Sequence, residues 1–391
     1  MNQNFFDQVH DRKNTASMKW DTHRSQGIPQ DAYPLWVADM DFQTLPKITE
    51  TLKAYVESGI YGYSFESPSY FQSIIDWLKR RHQYEVDRSW ILTTPGVVSA
   101  INASILAFTK LNDNILIQEP VYYPFKRSIL LNQRKAVSNN LLYEKGQYSI
   151  DFIDFETQIK ENQVKLFILC NPHNPVGRVF SEDELNKMVD ICQKYDVLIV
   201  SDEVHMDFVY QPYQHHVLAQ LREDYADHII TLVAASKTFN LAAMKVSQAI
   251  SSNPKLIEGM RQIYQSLGIY HHNTMGLKAT EVAYTHGDEY VDTLVNYLKT
   301  NIDYLDSELK VNCPKIKMIE AQSLYIVWLD FRELHIAQTD LKNKLFNEAK
   351  LWLNDGSIFG RGGEGFMRLN LALPLSELKK VTKQLIEAFK D

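Results

Sequence analysis

Residues 165–203, KLFILCNPHNPVGRVFSEDELNKMVDICQKYDVLIVSDE, decide the fold. An apolar run, KLFILC, leads into the turn-rich NPHNPVG, then a helical pattern, SEDELNKMVDICQKY, then a second apolar run, VLIV, that ends in SDE. Ser181 and Glu184 have the spacing of a capping box, which starts a helix between the two runs. Both runs are apolar throughout rather than alternating, as expected of strands buried on both faces. Strand, helix and strand joined in this way make a parallel pair. The pattern repeats outward. WILTT (90–94) precedes VVSAINASILAFTKL (97–111), NILIQEP (114–120) follows it, and HIITLVAAS (228–236) is a further run. The expected fold class is α/β, with a mostly parallel sheet covered by helices on both sides.

From about residue 288 the pattern changes. DEYVDTLVNYLKTNIDYLDSELK predicts one long amphipathic helix, SLYIVWLDF and FMRLNLAL predict strands of a smaller sheet, and SELKKVTKQLIEAFK predicts a closing helix. A chain of 391 residues suits two domains. The expected organisation is a large domain over 46–287 and a small C-terminal domain over 288–391, with an N-terminal segment, 1–45, packed on the small domain. Apolar content of 45% and charged content of 23% are those of an ordinary globular protein. A net charge of −7, without a long basic run, argues against a nucleic-acid or anionic membrane partner. No apolar run is long enough to cross a bilayer, and the polar start, MNQNFFDQVHDRKN, lacks the apolar core of a signal peptide. Cys170, Cys192 and Cys313 are scattered, which indicates neither a disulfide framework nor a zinc motif. A reducing cytoplasm is the expected setting, with no metal.

In an open α/β sheet, ligands bind at the carboxyl ends of the strands. Gly96 follows WILTT and opens a helix. Asn171 and Asn174 follow KLFILC, Asp202 and His205 follow VLIV, and Lys237 follows HIITLVAAS. Singly these are ordinary features: a turn, an Asn-Pro turn, a helix cap, a solvated lysine. Together, each at a strand end, they offer a backbone anion site, amides, a carboxylate and an amine. An ammonium beside a buried strand needs water or a partner, so Lys237 calls for an explanation. Gly360, Gly362 and Gly365 in GRGGEG match a dinucleotide-binding fingerprint, but a strand-like run follows where that fingerprint requires a helix. There is no Walker-type phosphate loop and no HExxH. The adjacent pairs His215–His216 and His271–His272 do not share a helix face and are poor chelators. A cofactor with an aldehyde, a basic ring nitrogen and a phosphate would use every piece at the strand ends. Pyridoxal 5′-phosphate is such a molecule: an amine makes a Schiff base with its aldehyde, an acid keeps its ring nitrogen protonated, and a helix N-terminus takes its phosphate.

The spacing of Asn174, Asp202 and Lys237 resembles that of fold-type I pyridoxal-phosphate enzymes, the aspartate aminotransferase superfamily. Within it the chain is most similar to the MalY/PatB-type carbon–sulfur lyases (cystathionine β-lyases). The carrying motifs are KWD (19–21), PLWVADMDF (34–42), YGYS (61–64), TPGVVSAI (94–101), PVYYPF (120–125), NPHNPVGRVF (171–180), SDEVH (201–205), SKTFNLAA (236–243) and FGRGGEGFMRLN (359–370). SDEVH with SKTFNLA marks the superfamily, while WVADMDF and GEGFMRLN point to the lyase branch. The resemblance implies a large domain with a mostly parallel seven-stranded sheet and a smaller α+β C-terminal domain.

It also implies roles. Lys237 would hold the cofactor aldehyde and then remove the substrate Cα proton. Asp202 would pair with the ring nitrogen, Asn174 would bond the ring hydroxyl, and Tyr122 would stack on the ring. His205 stands where aminotransferases have a tyrosine. The backbone N–H groups of Gly96, Val97 and Val98 would take the phosphate. Arg368 would clamp the substrate carboxylate as a two-pronged fork, with Asn174, Ala38 and Tyr63 also on the substrate side. Tyr63 resembles a tyrosine that reaches the phosphate in a neighbouring subunit, which implies a homodimer with shared sites. Two places depart from the family pattern. Ala234 replaces a serine three residues before Lys237, and Lys245 replaces an arginine eight residues after it. Both usually serve the phosphate, so Ser236 and Lys245 are left to do so and weaker cofactor binding is expected.

The implied reaction is β-elimination of L-cysteine S-conjugates, cystathionine or other S-alkyl-L-cysteines including bulky ones, giving a thiol, pyruvate and ammonia. The alternative is an aminotransferase for aromatic or apolar amino acids. A third reading is a regulatory protein that has kept the fold, and retention of Lys237, Asp202 and Arg368 argues against loss of catalysis. Tyr61, Phe65 and Tyr70 are candidates for an apolar thiol pocket or for core and dimer interface, the settings that aromatics more often occupy.

Overall fold

The computed structural model describes residues 3–390. Its centre is a seven-stranded sheet of β1 (Ile91–Thr94), β2 (Asn114–Glu119), β3 (Lys135–Asn140), β4 (Leu166–Cys170), β5 (Leu198–Asp202), β6 (Ile229–Val233) and β7 (Ser247–Ile250), in the order β1-β7-β6-β5-β4-β2-β3. β7 runs antiparallel to both its neighbours and the other pairings are parallel. The apolar runs are strands for the expected reason. Successive residues of β4 fall into two separate cores: Phe167 and Leu169 pack in one, Leu166 and Ile168 in the other. Helices supply both cores, and Glu182–Lys194 between β4 and β5 begins with the capping box of Ser181 and Glu184.

Two strands escape the apolar pattern. KAVSNN is β3, an edge strand with alternating exposure, and SQAI is β7, whose polar residues are buried against partners. Gln248 Nε2 donates to Tyr70 Oη at 2.9 Å, and Ser247 Oγ lies 2.6 Å from Thr94 Oγ1. Two boundaries also differ from expectation. The helix from Val97 ends at Phe108 rather than near residue 111, because Thr109 turns extended and its hydroxyl bonds the Ile105 carbonyl at 2.6 Å. The run HIITLVAAS stops being a strand at Val233. Ala234 is extended, and Ala235–Thr238 forms one helical turn, so Lys237 sits on that turn and not on the strand.

The long helix Asp288–Asn312 leads into a four-stranded antiparallel sheet of β8 (Lys317–Met318), β9 (Ile326–Asp330), β10 (Asn354–Asp355) and β11 (Phe366–Asn370), in the order β8-β9-β11-β10, and Leu375–Phe389 closes the chain. β11 follows the Gly360–Gly365 stretch, as the rejection of a dinucleotide fingerprint requires. The N-terminal segment joins this part. Tyr33 and Pro34 pair in parallel with Leu351 and Trp352, and Phe6 packs on Phe42, Tyr290 and Tyr297. Among the described residues, no helix is long and apolar enough to cross a membrane. All three cysteines are buried, and among the described residues none forms a disulfide.

Residues 36–42 form a strap across the site, pinned by buried charges. Lys19, 1% exposed, donates to Asp41 Oδ2 at 2.7 Å. Arg12 Nη1 and Trp20 Nε1 reach Asp41 Oδ1 at 2.7 and 3.0 Å. Burial alone would raise the Asp41 carboxyl; Lys19, Trp20 and Arg12 outweigh it and hold it below the ordinary carboxylate range. Asp41→Asn leaves the buried Lys19 ammonium with only its longer ion pair, to Asp39 Oδ1 at 3.7 Å. The expected loss of unfolding free energy is about 3–5 kcal/mol, read as a lower urea midpoint. A midpoint equal to that of the wild type would contradict this account of the strap.

Candidate active site

The carboxyl ends of β1, β4, β5 and β6 open onto one cavity of about 420 Å³. Of the residues singled out in the sequence, Ala38, Gly96, Val97, Val98, Tyr122, Asn174, Asp202, His205, Ser236, Lys237 and Lys245 line it. Gly96, two residues after β1, has φ +107°, a conformation that side-chain-bearing residues rarely adopt, and it is the N-cap of the helix Val97–Phe108. No side chain caps that helix, so its first N–H groups face the cavity beside Ser236 and Lys245. Such a helix start favours an anion. Lys245 itself takes a left-handed backbone, φ 54°.

Lys237 Nζ donates to the Ala38 carbonyl at 2.8 Å. Burial, then the charge of Arg368, pulls its amine down to about 8, against the opposing effect of Asp39 and Asp202. Asp202 closes β5, in register with Cys170 on β4. Among the described residues, its carboxylate accepts one hydrogen bond, from the Val204 N–H at 3.2 Å. Burial pushes its carboxyl up to about 7, with the Val204 bond and Lys237 opposing. His205 is buried, and burial followed by the charges of Lys237 and Arg368 keeps its imidazole neutral, well below its ordinary value. Tyr122 is pushed up to about 12 by burial and stays a phenol.

Arg368, on β11 of the small sheet, lies outside the cavity lining and is joined to it through Asn174. Its Nη1 donates to Asn174 Oδ1 at 3.0 Å and its Nη2 to the Trp36 carbonyl at 2.8 Å, while buried Nε has no partner among the described residues. Burial lowers its guanidinium to about 10, which leaves it charged at neutral pH. Tyr63 is not brought in: it is 96% exposed and its ring lies 5.4 Å from that of His271. Tyr61 and Phe65 are exposed beside it, and Tyr70 is core. The histidine pairs hold no common ligand. His215 lies on Glu203, His216 on Glu182 and His272 on Glu66.

Several site residues carried no individual signal. Tyr325 Oη donates to the Ala38 carbonyl at 3.0 Å, alongside Lys237. It lies inside the apolar run SLYIVW, where nothing marks it as polar. Asn240 clamps the strap through Met40 and Phe42, and Asn370 clamps it through Val37 and Asp39. Both asparagines fall inside the quoted motifs, but only the contacts show that they tie the Lys237 turn and the Arg368 strand to residues 36–42.

These groups fit pyridoxal 5′-phosphate. A buried carboxylate without a cation partner suits a protonated ring nitrogen, and a neutral-prone amine suits an aldehyde. The uncapped helix start with Lys245 suits a phosphate, and the unpartnered Nε of Arg368 leaves a donor for a substrate carboxylate. His205 Nδ1 is likewise buried and unpartnered.

Fold and site together define an α/β enzyme whose reacting groups converge at the carboxyl edge of a mostly parallel sheet and are completed by an arginine from a second sheet. The chain belongs to the aminotransferase class I and II family, whose model matches residues 34–385. It is 37% identical over 374 residues to cystathionine β-lyase PatB of Bacillus subtilis (strain 168), across 96% of this chain and 97% of that protein. To MalY of Escherichia coli (strain K12) it is 30% identical over 392 residues, across 98% of each. Among solved structures it matches cystalysin from Treponema denticola, which contains pyridoxal 5′-phosphate, with a TM-score of 0.95 and 36% identity over 98% of both chains. The MalY/PatB-type resemblance and the fold-type I architecture implied by the motifs are both upheld.

Proposed function

We propose that the protein cleaves L-cysteine S-conjugates, cystathionine or other S-alkyl-L-cysteines, by pyridoxal-phosphate-dependent β-elimination to a thiol, pyruvate and ammonia. The cofactor and the carbon–sulfur β-lyase class rest on the family, on the cystathionine β-lyase PatB and on cystalysin. The observation that carries the reading is a depressed amine and a raised carboxyl at one cavity, with a buried arginine joined to its lining through Asn174.

When bound, the cofactor supplies an electrophilic aldehyde and a ring that accepts the electrons left at the substrate Cα. Lys237 would hold the aldehyde and, when its amine is free, would take the substrate Cα proton. An amine near 8 is partly neutral at pH 7, as that task requires. Asp202 would pair with the ring nitrogen, Asn174 with the ring hydroxyl, and Tyr122 would lie on the ring face. Arg368 takes the carboxylate and fixes the Cα–H bond towards Lys237. The Cα–H electron pair would become the Cα=Cβ bond as the Cβ–S bond breaks; the sulfur would leave with its bonding pair and take the proton held by Lys237, and water would hydrolyse the released 2-aminoacrylate to pyruvate and ammonia. Ile60, Tyr61, Tyr63 and Phe65 form an exposed apolar stretch, which supports a homodimer in which Tyr63 reaches the partner's phosphate site. A panel of S-alkyl-L-cysteines with thiol detection tests the substrate class. Release of thiol from none of them would reject it and advance the aminotransferase reading.

Lys245 offers the phosphate a point charge where the family usually has a fork. Lys245→Arg is expected to tighten cofactor binding by about 1 kcal/mol, roughly 5-fold, in a titration of the cofactor-free protein. No gain, or a loss, would contradict the assignment.

A further inference from the structure

Behind the cavity lies a buried polar layer that the proposed chemistry does not use. The segment after β5 lines the cavity with Asp202 and His205, and it buries Glu203 and Asp207 against other partners. Glu203 accepts from His215 Nε2 at 2.8 Å, from Ser201 Oγ at 2.7 Å and from the Leu218 N–H at 3.2 Å. Asp207 Oδ1 accepts from His82 Nε2 at 2.8 Å, and its Oδ2 from Thr238 Oγ1 at 2.6 Å. His82 is the last residue of the helix Pro68–His82, and Thr238 directly follows Lys237. One carboxylate thus joins a helix end, the segment that carries Asp202, and the turn that carries Lys237.

Thr238, like Thr93, Thr94 and Thr274, differs from the threonines that bond within their own helix. Thr51, Thr109, Thr157 and Thr285 all return their hydroxyls to the carbonyl four residues back. Thr238 spends its hydroxyl on a residue 31 positions away and is wholly buried. Asp207 is held ionised: burial would raise its carboxyl, but His82, Thr238 and the charge of Arg81 outweigh it and bring it below the ordinary range. An ionised, buried acceptor of this kind fixes its donors in place.

We propose that Asp207, braced by His82, is a positioning residue for Lys237: through Thr238 it sets the turn from which the amine projects towards Asp202. The proposal rests on the reading that Lys237 holds the cofactor. Small displacements of a reacting group are costly, so a loosened turn should slow the step after binding more than binding itself.

The test uses the holoenzyme and the variants Thr238→Val, Thr238→Ser and Asp207→Asn. Each is followed by the absorbance bands of the bound cofactor at fixed pH, by kcat and KM, and by thermal midpoint. Thr238→Val is expected to lower kcat about 10-fold with KM within about 2-fold, and to change the band ratio. Thr238→Ser restores the hydroxyl and should restore both to within about 2-fold. Asp207→Asn should move kcat and the bands in the same direction as Thr238→Val; if it fails to fold, Thr238→Val carries the test. A folded Thr238→Val enzyme with wild-type bands and kcat overturns the proposal, whatever its thermal midpoint, and reduces the layer to a structural brace. Lys237→Ala is the control. If the cofactor band survives in that variant, the assignment of Lys237 fails, not the role of Asp207.

Discussion

Lys237→Ala is expected to abolish turnover, lowering kcat/KM by at least ~10⁴-fold, because one side chain serves as both the cofactor's anchor and the base at Cα. The geometry gives the reason. Lys237 is half-buried, faces the positive charges of Arg368 and Lys245, and has the Ala38 carbonyl as its hydrogen-bond partner. Lys245 lines the same cavity, but beside the helix start, where it is placed for an anion. Alanine also removes a charge rather than stranding one, so the variant should fold and its thermal midpoint should stay near that of the wild type. Steady-state rates and the absorbance of the bound cofactor are the readouts. A Lys237→Ala enzyme that keeps more than about 1% of wild-type kcat/KM would contradict the assignment.

Asp202→Asn is the second large effect. Asparagine keeps the shape and the Val204 hydrogen bond but cannot hold a ring nitrogen protonated. The expected fall in kcat is about 10²–10³-fold, the scale of losing one preorganised electrostatic partner in a dry site. The raised carboxyl has a corollary. Without a cation beside it, Asp202 titrates near 7; a cationic ring nitrogen favours the charged carboxylate and draws that value down. Cofactor binding should therefore weaken in Asp202→Asn and, in the wild type, weaken as pH falls below neutrality and the carboxyl gains its proton. A titration of the cofactor-free protein at several pH values checks both. Equal affinity for wild type and variant would remove Asp202 from the site.

Much of this was legible because strands buried on both sides cannot hide charge. Lys237 and Asp202 stood out at the ends of apolar runs, and the structure places both on one cavity. Gly96 was legible for a related reason: only a residue without a side chain takes its backbone angle comfortably. What stayed hidden was carried by pairing rather than pattern. β3 is a polar edge and β7 buries its polar side chains against partners distant in sequence, so neither shows an apolar run. Tyr325 is masked by the strand around it. The strap at 36–42 is ordered by Arg12, Lys19, Asn240 and Asn370, contacts that no local spacing encodes. Arg368 was marked by motif alone; its place beside Asn174 depends on how the small sheet meets the large one.

The most direct measurement supplies L-cystathionine to the purified holoenzyme with no 2-oxo acid present and counts pyruvate per active site over time. Elimination regenerates the enzyme in each cycle, so pyruvate and thiol should accumulate together, far beyond one equivalent. Consumption of cystathionine that halts at one equivalent without pyruvate or thiol, and resumes only when a 2-oxo acid is added, would show an aminotransferase and contradict the lyase account.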